Sequence, residues 1–311
     1  MNPIRFDGRT AIVTGAGAGL GRSHALGLAA RGANVVVNDL GVAADGTAKG
    51  SRAAHAVVEE IRAAGGHAIA SGADVTDFEQ VRAMVRDAIA TYGAIDILVN
   101  NAGILRDKTF AKMEMDDFHL VLDVHLVGSA NCTKAVWNHM VEREYGRIVM
   151  TTSASGMYGN FGQSNYGAAK AGVVGLMNVL AQEGMRKNIR VNTLAPTAAT
   201  RMTEGLLTPD VLDLLAPETI TPGLLALVSE DAPTKLILGA GAGCFAEIRI
   251  CETPGVALHD EALSPEGVMA SLAAIRDPEG QDVMENAFSQ TRKYARMAAA
   301  ARGLPLPWNE V

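Results

Sequence analysis

The sequence has few cysteines and lacks a long apolar run. Cys132, Cys244 and Cys251 are an odd number without metal-ligand spacing, so we expect free thiols, a reducing compartment and no metal site. No apolar stretch is long and charge-free enough to span a bilayer, and residues 1–6 show no charged and then apolar leader. We therefore expect a cytoplasmic protein that has no membrane partner.

The sequence also has no excess of positive charge. It holds 27 lysine and arginine residues against 34 aspartate and glutamate residues, which gives a formal net charge of −7. Recognition of nucleic-acid phosphates needs a basic face, and so we expect no nucleic-acid partner. The Gly-x-Ser-x-Gly motif is absent as well, which argues against a hydrolase serine.

Short apolar segments alternate with helix-length amphipathic segments from the start of the chain. This alternation predicts the α/β class, with a doubly wound parallel sheet that is covered by helices on both faces. The 311 residues, of which 48% are hydrophobic, are ample for a buried core. We expect about seven strands, at Thr10–Thr14, Asn34–Asn38, His67–Ala70, Ile95–Asn100, Gly146–Thr151, Arg190–Leu194 and Leu236–Gly239.

The sheet pattern ends near residue 243, although the chain continues to residue 311. We expect a single domain over residues 1–243, and a helical extension over residues 244–311 that packs on it. Ser264-Pro265-Glu266 is typical of a helix start, and residues 282–302 have helical character. Arg292 and Arg296 lie four positions apart on that helix; they either meet a ligand phosphate or form a solvated basic helix end.

A glycine-rich turn follows the first predicted strand. In Thr14-Gly15-Ala16-Gly17-Ala18-Gly19-Leu20-Gly21, the glycines permit close backbone approach to a pyrophosphate, and the next helix begins with oriented N–H groups. The last glycine is followed by Arg22, whereas a P-loop has lysine at this position, which argues against a P-loop. Asp39 ends the second strand, where a carboxylate binds the adenosine ribose hydroxyls and repels a 2′-phosphate. The pattern predicts NAD as cofactor; alternatively, Asp39 only opens the loop over residues 39–51.

A tyrosine and a lysine lie four positions apart in a helix that the apolar spacing predicts over residues 164–180. Tyr166 and Lys170 therefore share one helix face. A phenol with a pKa of about 10 is a poor base at neutral pH, but a nearby ammonium favours its ionised form. We expect Lys170 to lower the pKa of Tyr166, so that the phenol can take the proton of a hydroxyl group.

These motifs together resemble the short-chain dehydrogenase/reductase family, from Arg9 to about Gly243, and the resemblance implies a Rossmann-like fold. The motifs are the glycine turn, Asp74-Val75, Asn100-Asn101-Ala102-Gly103, a serine thirteen positions before the tyrosine, and Tyr166-x3-Lys170. Four stretches are more narrowly similar to the (3R)-hydroxyacyl-CoA dehydrogenase domain of peroxisomal multifunctional enzymes and their bacterial relatives: residues 37–41, 100–107, 153–166 and 201–204.

The resemblance implies a role for each motif. Ser153 would bind the substrate oxygen, Tyr166 would exchange its proton, and Lys170 would hold the nicotinamide ribose. The implied cofactor-binding residues are Gly15, Gly19, Leu20, Gly21, Asp39, Asp74, Val75, Asn101, Ala102, Gly103, Tyr166, Lys170, Pro196 and Thr200.

Two positions depart from the family pattern. His125 stands where many members have an asparagine that holds a water for proton relay; it either does the same work or is only packed. Pro196 is followed by Thr197 rather than glycine, and Arg201 occupies the usual threonine position. We expect Thr200 to contact the carboxamide in its place.

The function implied by the resemblance is NAD-dependent interconversion of a secondary alcohol and a ketone. The preferred pair is a (3R)-3-hydroxyacyl-CoA and its 3-ketoacyl-CoA. A 17β-hydroxysteroid dehydrogenase is an alternative, and so is a non-catalytic NAD-binding scaffold, although a scaffold needs no proton-transfer residues. The resemblance also implies a homodimer or homotetramer, and residues 200–222 are expected to form a lid over the substrate.

Overall fold

The computed structural model describes residues 3–41, 52–198 and 213–305. The chain divides into two compact units, Met1–Glu247 and Ile248–Val311. No helix in the described ranges is long and apolar enough to cross a membrane.

The first unit is built on one eight-stranded sheet in the order β3-β2-β1-β4-β5-β6-β7-β8. Neighbouring strands from β3 to β7 pair in parallel. Because the strand order reverses between β1 and β4, a crevice opens there at the carboxyl ends of the strands. The strands are β1 Thr10–Thr14, β2 Asn34–Asn38, β3 His67–Ser71, β4 Ile97–Asn100, β5 Gly146–Thr151, β6 Ile189–Thr197, β7 Ile237–Gly241 and β8 Cys244–Ile248.

Helices cover both faces of this sheet. They are α1 Gly19–Ala29, α2 Arg52–Ala63, α3 Phe78–Tyr92, α4 Met115–Leu122, α5 Gly128–Arg143, α6 Ala154–Tyr158, α7 Ser164–Gly184 and α8 Thr221–Leu227, and a π-helical turn over Asp123–Val127 joins α4 to α5. Apolar residues of α1, α2 and α8 form one cluster with Val13 and Val35. The equally buried Ile12 and Val36 point to the opposite face, since side chains alternate along a strand.

The local sequence explains where a helix such as α3 begins and ends. The carboxylate of Asp77 accepts hydrogen bonds from the backbone N–H groups of Glu79 and Gln80, and Gly93 ends the helix with φ of 83°. Its buried residues are Val81, Met84, Val85 and Ala88, and this spacing places one apolar stripe against the sheet.

The predicted α/β fold is confirmed, but the sheet does not end at β7. Residues 242 and 243 link β7 to β8, with φ of 51° at Ala242 and 74° at Gly243. Two successive positive φ angles are typical of a two-residue hairpin turn, which reverses the chain. The sequence analysis missed β8, a five-residue strand at the edge of the sheet whose first four residues, Cys244–Glu247, are exposed.

The described part of the second unit, up to residue 305, has a small sheet and three α-helices. Strand β9, Cys251–Glu252, pairs antiparallel with β10, Asp282–Val283. The helix predicted from residue 282 therefore begins later, after Asn286, whose side chain caps its first turn. The side chain of Ser264 caps another helix as predicted. The helices are α9 Pro265–Ala270, α10 Leu272–Ile275 and α11 Ala287–Ala301; the packing of residues 244–311 on the first unit stays a prediction.

The turn between β1 and α1 is packed too closely to admit side chains. Gly15 has φ of 62°, a conformation that glycine adopts without strain. A Cβ atom on Gly21 would lie 2.2 Å from the carbonyl oxygen of Gly15 and 2.5 Å from Nδ2 of Asn101. The turn can therefore keep its shape only with glycine at position 21.

Replacement of Gly21 by alanine is expected to lower the free energy of unfolding by about 3 kcal/mol, as overpacking of a dense site does. Thermal or urea unfolding measures this loss. The matched control is Gly175→Ala, because a Cβ atom at this exposed helical position meets nothing within 4 Å. The control should stabilise by about 0.5–1 kcal/mol. Equal stability of the two variants would contradict the packing argument.

Candidate active site

The residues predicted to form the site gather at the carboxyl ends of the parallel strands. This edge is where ligands bind in open α/β sheets. Thr200 lies outside the described residues, as do residues 42–51 and 199–212 of the two predicted ligand-facing loops. The described site residues are Asp39 after β2, Asp74 and Val75 after β3, Asn101 to Gly103 after β4, Ser153 after β5, and Pro196 near the end of β6.

Asp39 holds the glycine-rich turn from the side. Its Oδ2 accepts a hydrogen bond of 2.8 Å from the N–H of Gly17, and its Oδ1 accepts one of 2.7 Å from the N–H of Gly41. The carboxylate thus shapes both the turn and the start of the loop after β2. Each oxygen keeps a further lone pair, so the same carboxylate can also accept ribose hydroxyls.

Asn101 ties the end of β4 to the glycine-rich turn. Its Nδ2 donates to the carbonyl oxygens of Thr14 and Gly15, at 3.0 and 3.1 Å. In return, Oγ1 of Thr14 accepts from the N–H groups of Asn101 and Ala102, both at 3.0 Å. The sequence analysis did not predict Thr14 as a site residue. It could have been found as a hydroxyl residue at the last position of a buried strand, directly before the glycine-rich turn.

The glycine turn has the features that a dinucleotide cradle needs. A Cβ atom on Gly15 would lie 2.8 Å from Cα of Ala102, so two stretches of backbone meet without side chains between them. Helix α1 begins at Gly19 and presents free N–H groups to this space. Gly15, Gly19, Leu20 and Gly21 therefore fit the pyrophosphate of a nicotinamide dinucleotide.

The segment after β3 is held against α5. Nδ2 of Asn131 donates to the carbonyl oxygen of Val75 at 3.0 Å, and a Cβ atom on Gly128 would lie 2.7 Å from Cγ2 of Val75. Oδ1 of Asp74 accepts from the N–H and the hydroxyl of Thr76. Asp74 and Val75 are thus fixed at the sheet edge, where they can border a bound base.

Tyr166 and Lys170 meet on one face of α7, as the spacing predicts. The Nζ atom of Lys170 lies 5.5 Å from the centroid of the Tyr166 ring. Lys170 is buried, and its Nζ donates to the carbonyl oxygen of Thr151 at 2.6 Å. The hydroxyl of Thr152 donates to the carbonyl oxygen of Lys170 at 2.7 Å. Two bonds to the end of β5 therefore fix the lysine in place.

Ser153 completes the cluster from the segment after β5. Its Oγ accepts a hydrogen bond from the N–H of Ser155 at the start of α6, and its side chain also bonds the phenol of Tyr166. Helices α6 and α7 approach closely, because a Cβ atom on Gly156 would lie 2.7 Å from Cβ of Lys170. The structure thus brings Ser153, Tyr166 and Lys170 together.

The charge balance at Tyr166 differs from the expected one. Burial raises the pKa of Tyr166, the hydrogen bond from Ser153 lowers it, and the negative charge of Asp107 raises it further, so the net direction is upward. Burial lowers the pKa of Lys170 to about 7. The prediction that Lys170 leaves Tyr166 with a lowered pKa is therefore wrong for this structure, since desolvation outweighs the stabilisation of the phenolate.

His125 is buried in the π-helical turn and lies against the cluster. Its ring meets the ring of Tyr166 edge-on, with 5.1 Å between the centroids. Its Nε2 lies 2.8 Å from the oxygen and 3.1 Å from the nitrogen of Ile104. Burial and the charge of Lys170 hold the pKa of His125 well below its usual value, so the imidazole is neutral. Within the described residues, its buried Nδ1 has no partner.

Asn165 was missed by the sequence analysis. It is fully buried, its Nδ2 donates to the carbonyl oxygen of Arg106 at 3.0 Å, and its Oδ1 accepts from the N–H of Tyr166 at 2.7 Å. It thereby links the start of α7 to the segment after β4. The available signal was the polar run Gln163-Ser164-Asn165 directly before Tyr166.

The chain has relatives among curated proteins and solved structures. It is 47% identical over 273 residues to peroxisomal multifunctional enzyme A of Dictyostelium discoideum. These residues are 88% of this chain and 61% of that protein. It is 41% identical to a 3-oxoacyl-[acyl-carrier-protein] reductase of Synechocystis, over 74% of this chain and 93% of the relative. This chain thus spans less than two thirds of the Dictyostelium enzyme.

Two solved structures share the fold. Full-length peroxisomal multifunctional enzyme type 2 of Drosophila melanogaster aligns with a TM-score of 0.77 and 38% identity, over 93% of this chain and 48% of that one. A 7α-hydroxysteroid dehydrogenase, solved with NADH and 7-oxo glycochenodeoxycholic acid, aligns with a TM-score of 0.69 and 33% identity, over 77% and 95%.

The family assignment rests on motif, geometry and comparison together. A glycine cradle, a serine and a Tyr-x3-Lys pair meet at one sheet edge, and a family model for short chain dehydrogenases matches residues 9–209. These residues cover more than half of the chain. The protein belongs to the short-chain dehydrogenase family, whose members use a nicotinamide cofactor on CH–OH groups.

Proposed function

We propose that this protein is an NAD-dependent dehydrogenase that interconverts a (3R)-3-hydroxyacyl-CoA and the corresponding 3-ketoacyl-CoA. The observation that carries the proposal is the contact of Ser153, Tyr166 and Lys170 beside the glycine-rich turn. When bound, NAD supplies the acceptor for the hydride that leaves the carbinol carbon. The side chains have to fix the hydroxyl oxygen and remove its proton at the same time.

The proton passes to Tyr166 during oxidation. Ser153 hydrogen-bonds the substrate oxygen and holds it against the phenolate, which takes the hydroxyl proton. In reduction, the phenol returns that proton to the oxygen. Lys170 holds the nicotinamide ribose, and its protonated form stabilises the phenolate. Because the pKa of Lys170 is about 7, its charge is lost as the pH rises through neutrality. Its stabilisation of the phenolate is therefore greatest below that pH and disappears above it.

His125 is proposed as a positioning residue and an acceptor for a relay water. One tautomer donates from Nε2 to the carbonyl oxygen of Ile104, and its free Nδ1 can then accept a hydrogen bond from a water. The ring also fills the space next to Gly103, where a Cβ atom would lie 2.3 Å from Cε1 of His125. The histidine can thereby support the segment after β4, along which the cofactor is proposed to lie.

The names of the relatives support an acyl thioester as the substrate class. The 3-oxoacyl reductase relative is named for a 3-oxoacyl thioester, whose β-carbon chemistry is the same as that of the proposed substrate pair. The hydroxysteroid dehydrogenase structure, at 33% identity, supports the steroid alternative more weakly than the multifunctional enzymes support the acyl one. We also propose that the protein forms a homodimer or homotetramer. A cytoplasmic location is a further proposal, although several relatives are named as peroxisomal.

A substrate panel tests the proposed reaction. The wild-type protein with NAD should oxidise a (3R)-3-hydroxyacyl-CoA with a kcat/KM about 100-fold above that for its (3S) epimer or a 17β-hydroxysteroid, because a shaped site discriminates by contacts in the transition state. NADH formation measures the rate. Turnover of the steroid alone would establish the alternative substrate, and turnover of a sugar or polyol alone would exclude both.

Tyr166→Phe separates an enzyme from a binding scaffold. This change removes the group that exchanges the proton, so kcat should fall by about 10²- to 10⁴-fold, while calorimetry should show nearly unchanged NAD affinity. Tyr92→Phe, on α3, is the matched control and should retain full activity. An unaltered rate in Tyr166→Phe would refute the proposed base.

Asp39→Asn tests the preference for NAD. The amide can still accept from the N–H of Gly17, but it no longer repels a 2′-phosphate, and like charges in contact are costly. The ratio of kcat/KM for NADP to that for NAD should rise by about 10-fold. The exposed Asp87→Asn on α3 removes the same charge elsewhere and should leave the ratio unchanged. If Asp39→Asn also leaves it unchanged, Asp39 only shapes the turn.

A further inference from the structure

A chain of side-chain hydrogen bonds joins the segment after β4 to the start of the catalytic helix. Nε2 of Gln163 donates to Oδ2 of Asp107 at 2.6 Å. Oε1 of Gln163 accepts from the hydroxyl of Ser155 at 2.7 Å and from Nδ2 of Asn160 at 3.0 Å. The side-chain amide of Gln163 therefore connects the segment after β4, helix α6 and the segment after α6. Tyr166 lies three positions after Gln163 in the sequence.

The backbone reinforces this connection. The N–H of Lys108 donates to the carbonyl oxygen of Gly162 at 3.0 Å, and Lys108 and Gln163 form an isolated parallel bridge. The carbonyl oxygen of Gln163 accepts from the N–H of Gly167 at 2.7 Å in the first turn of α7. The backbone on both sides of Gln163 is thus held by hydrogen bonds, to the segment after β4 on one side and within α7 on the other. These bonds fix the position from which the side chain of Gln163 extends.

We propose that Gln163 is a positioning residue, whose amide fixes the Asp107 carboxylate beside the start of α7 and docks this helix on the segment after β4. No resemblance or comparison assigns a role to Gln163 or Asp107. The inference rests on the proposed function, because it gives the proton-exchanging tyrosine a fixed negative neighbour.

The surrounding charges leave Asp107 free to act on Tyr166. The adjacent cations Arg106 and Lys108 both pair with Asp117, at 3.7 and 3.0 Å. Tyr166 itself is faced by Ser153 from α6, by neutral His125 from the π-helical turn and by Lys170 on its own helix.

The charge of Asp107 raises the pKa of Tyr166. A raised pKa keeps the phenol protonated to higher pH, so oxidation, which needs the phenolate, requires a higher pH. Asp107 is exposed, so salt should weaken its effect. The loop after β4 would therefore set the pH at which the base begins to work.

Asp107→Asn tests the charge without removing the hydrogen bond, since the asparagine oxygen still accepts from Gln163. The midpoint of the rise in kcat/KM for oxidation should move to lower pH, and the dependence of this midpoint on salt should shrink. Ultraviolet difference titration against the same chain with Tyr166→Phe should show the same shift in the phenol. The exposed Asp116→Asn on α4 is the matched control and should leave both midpoints in place.

Gln163→Glu tests the positioning. Two carboxylates then face each other, and kcat should fall by about 10-fold or more, because small misplacements of reacting groups are costly, while the KM for NAD stays unchanged. The double variant Asp107→Asn and Gln163→Glu restores a donor at position 107 and acceptors at position 163, so it should recover most of kcat. This recovery also shows that position 163 tolerates glutamate without loss of the fold.

Two results would overturn the inference: wild-type midpoints in Asp107→Asn, or a double variant as slow as Gln163→Glu alone. The spectroscopic titration needs no substrate. It therefore still tests the inference if the acyl-CoA panel fails, whereas a failed panel with shifted midpoints refutes only the proposed substrate.

Discussion

The burial of the Lys170 amine at the end of β5 is the constraint on which the site depends. An amine removed from water loses solvation, and its pKa falls to about 7. The carbonyl oxygen of Thr151 accepts one of its hydrogens and partly replaces the lost water. Because this bond fixes the side chain to the carboxyl end of β5, helix α7 cannot rotate without breaking it.

The phenol of Tyr166 lies between influences of opposite sign. Burial and Asp107 disfavour the phenolate, whereas the hydrogen bond from Ser153 favours it. A raised pKa leaves the phenol protonated at neutral pH, so the form that reduction needs is present and the phenolate that oxidation needs is scarce. The hydrogen bond from Ser153 and a charged Lys170 both act in the opposite direction. The rate of oxidation at neutral pH is therefore coupled to the protonation of one buried amine.

The sequence predicted the parallel strands β1 to β7 and the meeting of Tyr166 with Lys170, because both follow from short-range periodicity. It missed β8, whose sequence Cys-Phe-Ala-Glu-Ile does not alternate strictly between apolar and polar residues. It also missed the π-helical turn, whose hydrogen bonds span five residues instead of four. Gln163 and Asn165 were also beyond reach. Their partners lie 56 and 59 residues away, and a polar side chain in one sequence does not reveal its partner.

His125 stands where the family resemblance leads one to expect an asparagine, and its role stays a proposal. Asparagine and neutral imidazole both carry a donor group and an acceptor group, but imidazole can also titrate near pH 7. Here burial and the charge of Lys170 hold the pKa of His125 well below its usual value. A protonated His125 would place a second cation next to the buried amine. The imidazole therefore stays neutral, and among these three groups the pH dependence near neutrality belongs to Lys170, because the pKa of Tyr166 is raised above its ordinary value.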